Sequence, residues 1–302
     1  MPLFSSVQHA ENFPVASFLI PRKLRHAIMV IYQFARSADD FADEGNISTQ
    51  DRLSSLTAYQ HQLDRIARKV PATHPLFMQL ERVIHQHTLP LSPFYDLLSA
   101  FCQDTQIQRY DNINQLFDYC QRSANPIGRL VLALHGLTCT KIIKYSDAIC
   151  TGLQLTNFCQ DVSIDWNMGR TYIPQDELAA ANLTMQDLPQ VESSHVWQQV
   201  MQQQVARARM LLQAGRPLIT TLQQYPAQTH ANTSQMAPKE NITRGAIKRL
   251  SWELRVTIEG GLRILERIEQ CNYRVFSQRP TLNAQDWLII IWRSMRFCHT
   301  AK

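Results

Sequence analysis

From Leu24 to Ala35 apolar residues fall at helical intervals. Leu24, Ala27, Ile28, Val30, Ile31, Phe34 and Ala35 form one stripe between Pro21 and Gly45, a plausible stop residue just past a helix end. The rhythm returns along the chain, punctuated by proline and glycine. It predicts helices over about 48–69, 75–87, 93–102, 114–137, 146–165, 194–224, 245–269 and 283–297. The passage Ser123-Ala124-Asn125-Pro126-Ile127-Gly128 should kink or break the helix that contains it. Residues 225–244, rich in Pro, Asn and Thr, read as a loop. Only 9 glycines and no Asn-Gly or Asp-Gly turn speak against hairpins, so the expected fold is all-α. No linker or repeat divides residues 1–302, which read as one domain. With 45% hydrophobic and 18% charged residues, the chain has much helix surface to bury, or a large apolar cavity to line.

The net charge of +5 is spread through helices without a basic run, which argues against nucleic acid as a partner. It suits an anionic headgroup or a diphosphate. Seven cysteines, an odd number without a C-x-x-C pair, sit mostly in apolar helical patterns and point to a reducing, cytoplasmic setting. No secretion-signal pattern opens the chain, and no apolar run approaches the roughly 20 residues that span a bilayer. Any membrane contact is therefore expected to be peripheral. The segment 287–296 fits either a docking helix or a core helix.

Two carboxylate clusters stand out. The first is Asp39-Asp40-Phe41-Ala42-Asp43-Glu44, in which Asp39 and Asp43, and Asp40 and Glu44, are four apart and share a helix face. The second runs from Asn157 through Asp161 to Asp165. Like charges at this spacing oppose a helix by a few tenths of a kcal/mol per pair. Both clusters also occupy last turns, ahead of Gly45 and Gly169, where the helix dipole disfavours carboxylates. The apolar turns before them imply partial desolvation, which an unpaired carboxylate resists. Bound Mg²⁺ resolves all three problems, since it takes one or two carboxylates per ion and fills its octahedron with water and phosphate oxygens. A solvated acidic face is the simpler alternative, but the same defect occurs twice. Arg36 lies three residues before Asp39, and Arg170 closely follows Asp165. Each is placed either to fork a phosphate or to neutralise its own helix's acids. Metal between acid clusters over apolar helices suits a diphosphate head with a hydrocarbon tail, and metal-assisted loss of diphosphate.

These residues resemble the squalene/phytoene synthase family over roughly residues 9–275. Three stretches carry the likeness. One is Leu19-Ile20-Pro21 with Ile31-Tyr32-Gln33-Phe34-Ala35-Arg36-Ser37-Ala38-Asp39-Asp40; the next is Tyr119-Cys120-Gln121-Arg122-Ser123-Ala124-Asn125-Pro126. The last runs from Gln154 through Asn157, Asp161 and Asp165 to Gly169-Arg170-Thr171-Tyr172-Ile173-Pro174. The resemblance implies an isoprenoid-synthase helical bundle around a central cavity. It implies that Asp39, Asp40, Asp43, Asp161 and Asp165 are catalytic. Asp39, Asp43, Asn157, Asp161 and Asp165 would hold Mg²⁺, while Tyr32, Arg36, Gln154, Asn157, Arg170 and Tyr172 would bind the substrate.

Within the family the chain is most similar to bacterial hydroxysqualene synthases of hopanoid biosynthesis, notably in Glu11-Asn12-Phe13-Pro14-Val15-Ala16-Ser17. That likeness implies presqualene diphosphate and water as substrates, with hydroxysqualene and diphosphate as products. Where condensing members commonly carry Ser-Lys-Ser-Phe, this chain has Ala10-Glu11-Asn12-Phe13, which weakens a site for a second diphosphate. The alternatives are a head-to-head condensing prenyl synthase and a non-catalytic assembly protein of the same fold.

Overall fold

The computed structural model describes residues 21–43, 48–228 and 244–296. All regular structure among them is helical, as the spacing of apolar residues predicts. Helix α1 (Arg22–Asp43) buries Ala27, Val30, Ile31, Phe34, Ala38 and Ala42, one stripe at three- and four-residue steps. It packs against α2 (Thr49–Ala67), α3 (Pro75–His87) and α4 (Ser92–Asp104). Local chemistry sets the ends of these helices. Ser48 caps α2 by accepting from the Asp51 N–H at 3.1 Å, and α3 opens on Pro75. Phe34 lies at the middle of this group, with Phe77 and Phe94 edge-on at 5.7 and 5.3 Å between ring centroids.

The expected break near Pro126 occurs at Ala124, between α5 (Ile113–Ser123) and α6 (Asn125–Leu134). Helix α6 joins two apolar cores. Leu130 and Leu134, one turn apart, belong to the α1–α4 core, whereas Leu132 belongs to a second core. That second core is built around α7 (Thr140–Gln160), which packs against α5, α6, α11 (His195–Gly215), α12 (Pro217–Gln228) and α13 (Arg244–Gln270). Arg129 and Asp147 tie α6 to α7 through two hydrogen bonds of 3.0 and 2.8 Å. Short elements lie between α7 and α11: α8 (Val162–Asn167), α9 (Gln175–Ala180), a 3₁₀ turn (Met185–Asp187) and α10 (Leu188–Val191). A last helix, α14 (Ala284–Arg296), lies along α13.

Two predicted helices prove to be divided. The stretch 146–165 breaks at Asp161, and 194–224 breaks at Arg216, where Pro217 supplies no N–H. Helix α12 runs on to Gln228, four residues into the expected loop; residues 229–243 lie outside the described ones. The six cysteines among the described residues are unbridged, and no helix among those residues is long and apolar enough to cross a membrane.

Helices α7 and α11 touch backbone to side chain because glycine stands at the seam. A Cβ on Gly152 would sit 2.9 Å from the Leu212 amide nitrogen, and one on Gly215 2.9 Å from the Tyr145 carbonyl oxygen. Backbone atoms cannot rotate away as a side chain would. Gly152→Ala should therefore cost about 1–3 kcal/mol through overpacking. The measure is a lower urea midpoint with an unchanged slope. An unchanged midpoint would mean that the seam opens without penalty.

Candidate active site

On α1, Tyr32, Arg36, Asp39 and Asp40 recur at steps of three and four on the face opposite the buried stripe. Arg36 holds both aspartates of its own helix, at 2.7 Å from Asp40 and 3.5 Å from Asp39. It thus neutralises its own helix's acids, one of the two roles open to it. The expected partial desolvation of this cluster is met, since the Asp39 and Asp40 side chains are 41% and 37% exposed. The apolar turns before them bury only the opposite face. The side chain of Asp43, together with Glu44 and Gly45, lies outside the described residues, as does the segment 10–20.

On α7, Gln154, Asn157, Phe158 and Asp161 lie along one strip that buried neighbours leave open, with Asn157 exposed and the others partly so. The helix axis breaks at Asp161, whose φ of −102° and ψ of 15° are not helical. The hydrogen-bond ladder nevertheless crosses the break: Asp161 N–H donates to Asn157 O at 2.8 Å, and Asp165 N–H to Asp161 O at 2.9 Å. Asn157, Asp161 and Asp165 therefore keep their one-turn spacing. Helix α8 then ends in a Schellman turn. Gly169 adopts φ 77°, its N–H donates to Trp166 O at 2.9 Å, and Arg170 N–H donates to Asp165 O at 2.8 Å. The turn places Arg170 beside Asp165.

Asp161 has a partner that the sequence did not reveal. Arg279, from the connection between α13 and α14, donates to its carboxylate at 2.6 Å. The same connection is tied down at three further points. Gln160 donates to Pro280 O at 2.6 Å, Trp197 Nε1 donates to Tyr273 O at 2.9 Å, and the Ser277 N–H donates to Glu192 at 2.9 Å.

Four rings adjoin the second cluster. Phe158 and Tyr172 are stacked face to face at 3.7 Å and 5°, with Tyr119 and Tyr110 at 6.0 and 5.8 Å from Tyr172. Tyr119 donates to the buried Asp104 carboxylate at 3.0 Å. Burial pushes the Tyr172 phenol well above its usual range; Asp104 and Asp165 push it further, and Arg170 pulls it back in part. Burial, then Tyr172 and Asp104, do the same to Tyr119. Both phenols stay neutral at physiological pH. A short backbone pairing fixes Tyr172: Thr171 N–H donates to Gln108 O at 3.0 Å and Gln175 N–H to Tyr110 O at 2.9 Å. An open cleft of about 880 Å³ borders this strap, lined by Gln103, Gln106, Arg109 and Asn114 among others.

The structure thus gathers Gln154, Asn157, Asp161, Asp165, Arg170 and Tyr172 around the α7–α8 junction, and Tyr32, Arg36, Asp39 and Asp40 on α1. Helix α6 packs against both supporting helices. Carboxylate and amide oxygens suit a hard divalent ion. Among the described residues no three acidic, His or Cys side chains converge to hold an ion by themselves. That is compatible with Mg²⁺, which needs only one or two carboxylates when phosphate and water complete its shell.

The chain as a whole is similar to known proteins. A hydroxysqualene synthase from Sinorhizobium fredii is 33% identical over 226 residues, covering 74% of this chain and 75% of that protein. Another, from Zymomonas mobilis, is 39% identical over 67% of each chain. The crystal structure of squalene synthase HpnC from Alicyclobacillus acidocaldarius superposes with a TM-score of 0.72 at 33% identity, covering 88% of this chain and 90% of that one. The family model described as squalene/phytoene synthase matches residues 6–286, nearly the whole length, and with it the helices that carry both acidic groups. The chain belongs to the squalene/phytoene synthase family.

Proposed function

We propose that this protein is a Mg²⁺-dependent hydroxysqualene synthase, converting presqualene diphosphate and water to hydroxysqualene and diphosphate. The observation that carries the reading is the acidic α7–α8 junction set directly against the stacked Phe158–Tyr172 wall, in a chain whose relatives bear that name. Such a junction offers charge for a diphosphate head and π faces for the cation left when it departs.

Asp39, Asp43, Asn157, Asp161 and Asp165 would hold the metal, with Asp40 beside them. When bound, Mg²⁺ neutralises charge on the diphosphate oxygens and so favours their departure. Arg36 and Arg170 fork the diphosphate, and Tyr32, Gln154 and Tyr172 position it. The C–O bond to diphosphate breaks heterolytically, and diphosphate keeps the electron pair. The carbocation rearranges beside the Phe158–Tyr172 stack, which Tyr119 backs. The phenols are poor nucleophiles there because burial keeps them protonated. Water then forms the new C–O bond and loses a proton to solvent or to the released diphosphate. Substrate and product are both hydrocarbon-rich, so the reading also calls for contact with a membrane surface, where they dissolve.

Purified protein given presqualene diphosphate and Mg²⁺, without a nicotinamide cofactor, should release equal amounts of hydroxysqualene and diphosphate. No diphosphate release rejects the reading. Farnesyl diphosphate supplied alone should remain unconsumed, whereas its consumption would mark a condensing enzyme. Asp161→Asn should lower turnover by about 100-fold or more, the scale on which lost charge stabilisation acts, while the melting temperature changes little. Full activity would move the metal site elsewhere.

Ligands that bind only the folded state stabilise it. Mg²⁺ and inorganic diphosphate together, at 100 times their joint dissociation constant, should add about 2.7 kcal/mol, visible as a raised melting temperature. Either alone should do much less. Equal shifts from diphosphate with and without Mg²⁺ would show that the arginines bind it unaided.

A further inference from the structure

Helix α14 has one face covered by α13 and another, apolar face that is not covered. Asp286, Ile290 and Ser294 form a buried stripe toward α13. On the other side Leu288, Ile291, Trp292 and Met295, at i, i+3, i+4 and i+7, form a second stripe. It is strongly exposed, with Leu288 at 70%, Trp292 at 49% and Met295 at 57%.

We propose that this outer stripe docks on an anionic phospholipid bilayer, with α14 lying in the plane of the membrane surface. Three observations select this occupant. No helix among the described residues is long and apolar enough to cross a membrane, so an apolar helix face left in water suits the interface and not the bilayer core. Trp292 stands in the stripe with the Arg296 guanidinium 4.1 Å above its ring. An indole belongs at headgroup depth, and an arginine beside it can lay its stem on the apolar surface while its charge meets phosphate. The local charge is also one-sided. From Trp287 to Arg296 the helix carries Arg293 and Arg296 and no acidic residue, and Arg293 already pairs with Glu266. A second copy of the chain is a poorer occupant, because four side chains on a three-turn helix fall far short of the roughly 800 Å² per partner of a standard interface.

The inference deepens the proposed function, on which its biological purpose rests, but vesicle binding is measured without substrate, so the two fail separately. The full-length protein should co-sediment with vesicles of phosphatidylcholine and phosphatidylglycerol, much less with phosphatidylcholine alone, and less at high salt. Leu288→Gln combined with Trp292→Gln should reduce partitioning at least tenfold, with melting temperature and turnover of detergent-dispersed substrate unchanged. Arg296→Gln should lower binding to the anionic vesicles while sparing what little the neutral ones bind. Absence of wild-type sedimentation, or equal sedimentation of the double variant, overturns the proposal. So does a dimer in solution that the double variant converts to monomer, since the stripe would then be covered by a second copy.

Discussion

Helix α7 is enclosed by α5, α6, α11, α12 and α13, and that enclosure decides what the rest of the molecule can do. Its mid-section buries Ile149, Thr151, Gly152, Leu155, Thr156 and Cys159 on nearly every side. The one strip left open carries Gln154, Asn157, Phe158 and Asp161. Polar groups can line the heart of a helical protein only if the surrounding seams are tight enough to fix their direction. At the α11 seam Gly152 and Gly215 let backbone approach side chain, and at the α6 seam Arg129 grips Asp147 with both arms of its fork. The acidic junction is thus a rigid feature and not a flexible one, which a site that must aim charge requires.

That rigidity leaves the acids with an electrostatic problem that arginine meets in two places. Arg36 spans Asp39 and Asp40, and Arg279 holds Asp161. An arginine that neutralises a carboxylate competes with a divalent ion for it. On the proposed reading, Arg36 and Arg279 would yield these carboxylates to the ion and turn to the diphosphate, so charge would be rearranged instead of added. The partial exposure of these acids keeps the exchange affordable, because desolvating an ion pair fully would make either partner hard to release.

Much of the fold was legible in apolar spacing and punctuation. Helix α3 spans Pro75–His87 as read, and the break around Pro126 is where ring geometry requires one. What could not be read depends on contacts made far along the chain. The break at Asp161 coincides with its bond to Arg279, 118 residues away, and nothing local marks either event. The Asp104–Tyr119 bond and the pairing of Gln108 with Thr171 are equally remote, so the aromatic wall around Tyr172 had no signature beyond its resemblance. The partial burial of Asp39 and Asp40 was legible, since the periodicity that buries Phe34 sets those acids on the opposite, half-open face. The junction residues Asn157, Asp161, Asp165 and Arg170 were legible, since their spacing survives the break.

The α13–α14 pairing shows why the outer apolar stripe is a feature of the folded protein and not of a loose tail. Asp286 is fully buried and accepts from Arg263 at 2.7 Å and Arg267 at 2.8 Å, while it and Asn283 exchange bonds of 2.8 and 3.0 Å across the first turn. Burial alone would raise this carboxyl, but the bonds from Arg267, the Asn283 N–H and Arg263 outweigh it and hold the group below its usual range. A helix fixed through a buried charge at its start cannot rotate to hide Leu288 or Trp292 without stranding that charge. The apolar residues on the outside are held there by the polar residue on the inside.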